Sequence, residues 1–242
     1  MIDIGGTNVK LMVSGSDEMR KFPSGRELTA ADFIAKTKEA IAGWTFDHIT
    51  LGFPGLVKDG AIAREPLNLS GGWLNVDFAA AFGAPVRIIN DAALQALAHY
   101  RDGRMLFIGF GTSVGATIVA DDVIVPIEVG LIPFSRKENF VSRLSKDARK
   151  RDGHEHWQEA VLEAVVLLQD IFWPSDTVIG GGNAKHLDPL PEKCRRGGNH
   201  HALRGAERMW EGAEMVARPY GTTWRIARDS SFAEAAKAPA EK

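Results

Sequence analysis

The chain has 242 residues, 45% of them hydrophobic and 25% charged, with a formal net charge of −2. That is an ordinary globular composition, and the near-neutral charge excludes a whole-molecule attraction to nucleic acid or anionic membrane. The lone cysteine, Cys194, excludes an internal disulfide. With no run of about 18 apolar residues and no leader-like N-terminal segment, a cytoplasmic protein without a membrane span is expected.

Met1-Ile2 lead straight into Asp3-Ile4-Gly5-Gly6-Thr7. A strand ordinarily runs to about five residues, so a shortened first strand is expected. Val9 to Val13 reads as a strand and Ser14 to Asp17 as a turn. Thr29 and Asp32 form a capping signal for a helix whose Phe33, Ile34, Thr37, Ala40, Ile41 and Trp44 recur at helical spacing. His48 to Phe53 reads as a buried strand ending in Pro54-Gly55, and Lys58 to Gly60 as a turn between two extended pieces. Pro85 to Ile89 predicts a strand that enters the helix Ala92 to Tyr100 through Asn90-Asp91. Arg104 to Gly109 and Val114 to Ala120 read as strands around a glycine turn, followed by Val123 to Val125. The polar, basic stretch 135–153 suggests a surface helix. Trp157, Val161, Ala164, Val165, Leu168, Ile171 and Phe172 mark a long amphipathic helix stopped by Pro174. Thr177 to Ile179 is a strand running into Gly180 to Asn183. The Ala-, Lys-, Glu- and Pro-rich end, Ser230 to Lys242, reads as a disordered tail.

Strands alternate with helices in both halves, which predicts an α/β architecture with two sheets. No 20–50-residue period is visible, but each half begins with strand, glycine turn, strand, as a weak duplication would.

Two loops carry the chemistry. Gly5, Gly6, Thr7 and Asn8 follow Asp3, and Gly109, Gly111 and Thr112 stand in the second turn. Glycines let the backbone approach a ligand, and successive N–H groups can cradle phosphate oxygens. Neither loop ends as a Walker loop does, and neither opens a helix as a dinucleotide fingerprint does. Singly, each reads as a hairpin turn; together and in this order they point to phosphate. Gly181 and Gly182 read equally as a strand–helix turn or as a flat surface for a nucleotide base. Asp91 stands at a helix start, which favours its ionised form and would suit a proton acceptor; Asn90-Asp91 reads as well as a helix cap.

Asp3-Ile4-Gly5-Gly6-Thr7, Gly52-Phe53-Pro54-Gly55, Asn68 with Gly72-Trp73, Asn90-Asp91-Ala92, Gly109 to Thr112, Glu128-Val129-Gly130, and Phe172-Trp173-Pro174 with Ile179 to Gly182 together resemble the ROK family of sugar kinases and repressors. Within it, the pattern is most similar to the polyphosphate glucokinase branch. The resemblance runs with gaps from Met1 to about Met209. It implies a two-lobed, actin-like ATPase (ribonuclease H-like) fold with a cleft between lobes: residues 1–92 as one lobe, 93–212 as the other, and 213–242 unassigned. It implies a hexose kinase with Asp91 as general base, sugar contacts from Asn68, Asn90, Asp91 and Glu128, and the donor, ATP or polyphosphate, on the two glycine loops. Gly181-Gly182 would lie near a nucleotide base and Mg²⁺ near Asp3. The resemblance implies sugar and phosphoryl donor as partners, no nucleic acid, no membrane and no structural zinc, and it allows a homodimer.

The family often has Glu-x-Gly-His, whereas Leu131 follows Glu128-Val129-Gly130 here. An apolar wall at the sugar and weak glucose affinity are therefore expected. A catalytically weak sugar-binding protein is the alternative reading. A repressor would need a helix-turn-helix ahead of Asp3, and a dehydrogenase is opposed by the strand–turn–strand context. Lys137, Arg143, Lys146, Arg149, Lys150 and Arg151 are either a polyanion groove or a solvated helix face.

Overall fold

In a computed structural model, the structure describes residues 1–198, 202–218 and 221–227. The predicted tail from Ser230 lies outside the described residues.

The chain opens with β1 (Ile2–Ile4) and β2 (Asn8–Met12), joined by the first glycine loop, and β3 (Met19–Pro23). Then come α1 (Ala30–Ala40) and β4 (Ile49–Phe53). Thr29 caps α1 by accepting from the Asp32 amide, as its sequence position predicts. A hairpin of β5 (Val57–Lys58) and β6 (Ala61–Ile62) precedes α2 (Phe78–Phe82), β7 (Val86–Asn90) and α3 (Asp91–His99). The second half starts with β8 (Arg104–Phe110), β9 (Val114–Ala120) and β10 (Val123–Ile127). The basic stretch forms two helices, α4 (Phe140–Leu144) and α5 (Lys146–Asp152), ahead of the long α6 (His154–Phe172). β11 (Asp176–Gly180), β12 (Cys194–Arg196), α7 (Ala202–Arg208), β13 (Glu214–Arg218) and β14 (Gly221–Arg225) complete it.

The first sheet has the order β3-β2-β1-β4-β7, and the second β12-β11-β8-β9-β10-β14-β13. The second contains the first plan again. β8, β9 and β10 form an antiparallel meander like β1, β2 and β3, and β11 and β12 follow in parallel on the other side of β8, as β4 and β7 do beside β1. The internal duplication, faint in sequence, is explicit in topology.

The first sheet buries Ile4, Val9, Leu11 and Leu51 against α1 and an aromatic group around Phe33. Phe33 lies 5.3 Å from Trp73 and 6.1 Å from both Phe78 and Phe82, centre to centre. Such contacts add about 0.5–1.5 kcal/mol each to the area buried. Trp73 of the Gly72-Trp73 motif is therefore a core residue. The second sheet packs α6 on one face through Trp157, Val161, Val165 and Leu168, and α3 with α7 on the other through Leu94, Leu97 and Ala206. Arg208 of α7 is 2% exposed and donates to Leu97 and Tyr100 carbonyls at the end of α3, where helix carbonyls lack partners of their own. No helix among the described residues is long and apolar enough to cross a membrane.

Candidate functional site

The first residues to consider are the two carboxylates. Asp3 sits mid-β1 between Ile2 and Ile4, 3% exposed, and its Oδ1 is buried without a hydrogen-bond partner. Burial drives its pKa up to about 6 against the partial pull of Lys10. Asp91 is the first residue of α3. A Cβ on Gly52 would stand 3.4 Å from Asp3 Oδ1 and 3.6 Å from the Asp91 Cα, so β4 places the two acids on either side of a side-chain-free position. The Asp91 carboxylate accepts from the Ala92 amide at 2.8 Å.

The ionised Asp91 expected from its helix start is not what the site produces. Burial, then Asp3 and further off Glu128, push its pKa to about 8, and the amide bonds that oppose the rise are outweighed. The cap itself is Asn90, whose Oδ1 accepts from the Ala92 and Ala93 amides at 3.0 and 3.2 Å while its amide donates to Gly55. Asn90 thus ties the Pro54-Gly55 turn to the start of α3.

The two glycine loops come together. The Thr7 and Thr112 hydroxyls are 3.1 Å apart, each one residue past the last glycine of its turn. The first turn is closed by the Gly5 amide on the Asn8 carbonyl, the second by the Gly111 amide on Ser113, and Lys146 at the start of α5 donates its amide to Gly111. Gly181 has φ +79°, and a Cβ there would lie 2.5 Å from the Phe110 carbonyl oxygen, so its glycine is explained by packing alone. Gly182 meets nothing and leaves a bare surface.

One cavity of about 540 Å³ is lined by every candidate residue: Asp3, Gly5 to Asn8, Asn68, Asn90, Asp91, Gly109, Gly111, Thr112, Glu128, Gly181 and Gly182. Both sheets contribute to it. Glu65 accepts the amides of Gly72, Trp73 and Leu74, closing the loop that carries Asn68. Leu131 departs from expectation. The short 3-10 turn Val129–Leu131 buries Val129 and Gly130 and leaves Leu131 57% exposed and outside the cavity lining, so no apolar wall forms there.

Sequence reasoning missed Lys10, Glu65, Gln95, Lys185 and His186, all of which line the cavity. The basic patch divides. Lys146 and Arg149 reach the cavity, whereas Arg143 and Arg151 pair with Asp152 at 3.0 and 2.6 Å. Arg149 Nε is buried without a hydrogen-bond partner, and desolvation, with Arg149 and Lys185 close by, lowers the pKa of His186. A second cavity of about 410 Å³, walled by Trp44, Phe46, His48 and Trp210, holds no candidate residue and neither glycine loop.

No family model matches the chain, and no curated protein sequence does. Solved structures do. An inorganic polyphosphate/ATP-glucomannokinase from Arthrobacter sp. strain KM is 24% identical with a TM-score of 0.69, over 84% of this chain and 96% of that one. A ROK family glucokinase from Streptomyces griseus, solved with glucose and AMPPNP, is 16% identical with a TM-score of 0.71, over 87% and 98%. The fold is that of the ROK sugar kinases. A putative N-acetylmannosamine kinase from Listeria monocytogenes shares this ROK fold at 20% identity and a TM-score of 0.64, over 84% and 95%. In the ROK fold of this chain, both glycine loops and the acid at the start of α3 open onto the same cavity.

Proposed function

We propose that the protein is a hexose kinase that moves a phosphoryl group from ATP or polyphosphate to a sugar hydroxyl. The observation that carries this reading is the meeting of two glycine–threonine turns, at 3.1 Å, in one cavity with Asp91. The turns offer backbone and hydroxyl donors to a phosphate chain, and a carboxylate facing them suits an acceptor for the sugar proton. Asn68, Asn90 and Glu128 contact sugar hydroxyls in this reading. Residues 1–92 and 93–212 form the two lobes, and the cavity is the cleft between them.

Mg²⁺ fits the residues present. Asp3 brings an unpartnered buried oxygen, while no cluster of three or more His, Cys, Asp or Glu forms a protein cage among the described residues. Mg²⁺ characteristically takes one or two carboxylates and completes its shell with phosphate and water. When bound, it supplies positive charge that neutralises phosphate oxygens and favours the ionised form of nearby carboxylates. Lys146, Arg149, Lys185 and His186 beside Gly111 and Gly182 support a polyanionic donor, and length beyond a triphosphate is compatible with them.

A weakly catalytic sugar-binding protein is the second reading, favoured by the raised pKa of Asp91. Purified protein, a hexose panel, Mg²⁺, and ATP against polyphosphate decide between them. Sugar phosphate is expected with at least one hexose; sugar binding without product supports the second reading, and neither binding nor product overturns both.

A further inference from the structure

Gln95 lies one turn past Asp91 on α3, and the kinase reading gives it no task. It is half-buried, lines the cavity and makes no hydrogen bond among the described residues. Amides so placed ordinarily have a partner. Helical spacing fixes where this one points. Ala92, Gln95 and His99 stand at i, i+3 and i+7, on one ridge of α3. Both ends of the ridge rest on the second sheet. A Cβ on Gly115 of β9 would lie 3.0 Å from the Ala92 Cβ, and the His99 ring stacks on Phe107 of β8 with centres 6.4 Å apart. Gln95, between them, faces the part of the β8–β9 hairpin where Gly109 pairs with Gly115. Directly opposed residues share a sheet face, and neither glycine puts a side chain on it. Gly109, Gly115 and Gln95 all line the cavity, and the Gly111-Thr112 turn lies immediately beyond the glycine pair. The sugar candidates stand elsewhere. Asn90 is tied to Gly55 in the first half, and Glu128 follows β10, on the far side of β9 from β8.

We propose that Gln95 is a donor-binding residue, its amide N–H donating to a phosphate oxygen of the chain held on Gly111-Thr112. The proposal rests on the kinase reading. A primary amide offers two N–H donors, and a charged phosphate oxygen is a strong acceptor. The bare glycine pair leaves room for phosphate between the sheet and α3, and Gln95 is the hydrogen-bonding side chain of the ridge that reaches this space. The amide brings direction rather than charge. Lys146, Arg149 and Lys185 supply charge from the second half, whereas Gln95 sets the register of the phosphate chain against the helix that carries Asp91. Proton acceptor and donor contact then share one rigid element.

The test compares Gln95→Leu and Gln95→Glu with the wild type, each checked for folding by its thermal melt. Gln95→Ala replaces the leucine variant if that one does not fold. With whichever of ATP and polyphosphate the wild type uses, Gln95→Leu is expected to raise the donor KM about tenfold, with the sugar KM within about threefold. Gln95→Glu is expected to raise the donor KM further, about thirtyfold or more, because a carboxylate has no proton to donate and repels phosphate. A donor KM within about threefold of wild type in Gln95→Leu overturns the proposal. So does a glutamate variant better than the leucine one, which would make the side chain an acceptor for a sugar hydroxyl. Titration with tripolyphosphate keeps the two readings apart. If wild type phosphorylates no sugar, the kinase reading fails, and an affinity for tripolyphosphate that falls in Gln95→Leu and falls further in Gln95→Glu still supports the phosphate contact. An affinity unchanged in Gln95→Leu, or no binding to wild type, overturns that contact as well.

Discussion

Asp91 carries two opposed demands, and both can be measured. As proton acceptor it must ionise, yet burial beside Asp3 holds its pKa near 8. Asp91→Asn should lower kcat by at least about a hundredfold while leaving sugar binding intact. The same change should alter stability in a pH-dependent way. A carboxyl whose folded pKa is raised binds its proton more tightly in the folded state. Its contribution to stability is therefore full below the unfolded value of 3.8 and is lost as pH rises toward about 8. Asp91→Asn should consequently raise Tm relative to wild type at pH 8 and change it little at pH 4; equal shifts at both pH values would place Asp91 in a different environment. Leu131 gives the contrasting case. Because it is exposed and off the cavity, Leu131→His should leave glucose affinity within about threefold, in titrations of both proteins. The Asn-Asp pair after an apolar strand was legible in sequence because caps and strand ends are local. The protonation of Asp91 was not, since it is set first by burial in the assembled fold and then by Asp3 and Glu128, 88 and 37 positions away in the chain.

At the scale of elements, the joint between α3 and α7 holds the acid in place. A Cβ on Gly205 of α7 would lie 2.2 Å from the Leu94 carbonyl oxygen of α3, so the two helices touch backbone to side-chain-free backbone. Gly205→Ala should force them apart and cost about 1–3 kcal/mol, as over-packing does, with a lower midpoint in urea. The displacement tilts the start of α3, so kcat should fall as well. The long helices were readable from their apolar spacing, and α1 from its cap. β3, β13 and β14 were not: Met19 to Pro23 alternates exposed and half-buried residues, and β13 and β14 carry Glu, Arg and Thr rather than an apolar run. Strands at or next to a sheet edge, as these are, are defined by the partner they pair with, not by their own pattern. Lys10 was overlooked for the same reason. Its meaning lies in the register with Asp3, which no stretch of chain displays by itself.

At the scale of the molecule, the last described strands tie the halves together. The Asp59 carboxylate, in the β5–β6 turn of the first half, accepts the amide and hydroxyl of Thr222 on β14 at 2.7 and 2.6 Å. Those hydrogen bonds also hold the Asp59 pKa below its ordinary value. Asp59→Ala should leave the melt of the second sheet's centre intact but expose β13 and β14 to faster proteolysis; unchanged cleavage there would show that the tie is dispensable. The two-sheet plan was legible from alternating strands and helices, whereas the repeat of strand order needed the pairing itself. Two half-length ancestors arranged about a twofold axis would meet at an isologous interface, where a residue near the axis touches its own counterpart. Thr7 and Thr112, matched in their turns and 3.1 Å apart, meet as such counterparts would. The two matching turns are unlike in their surroundings: Asp3, Lys10 and Arg64 come to the cavity from the first half, and Lys146, Arg149 and Lys185 from the second.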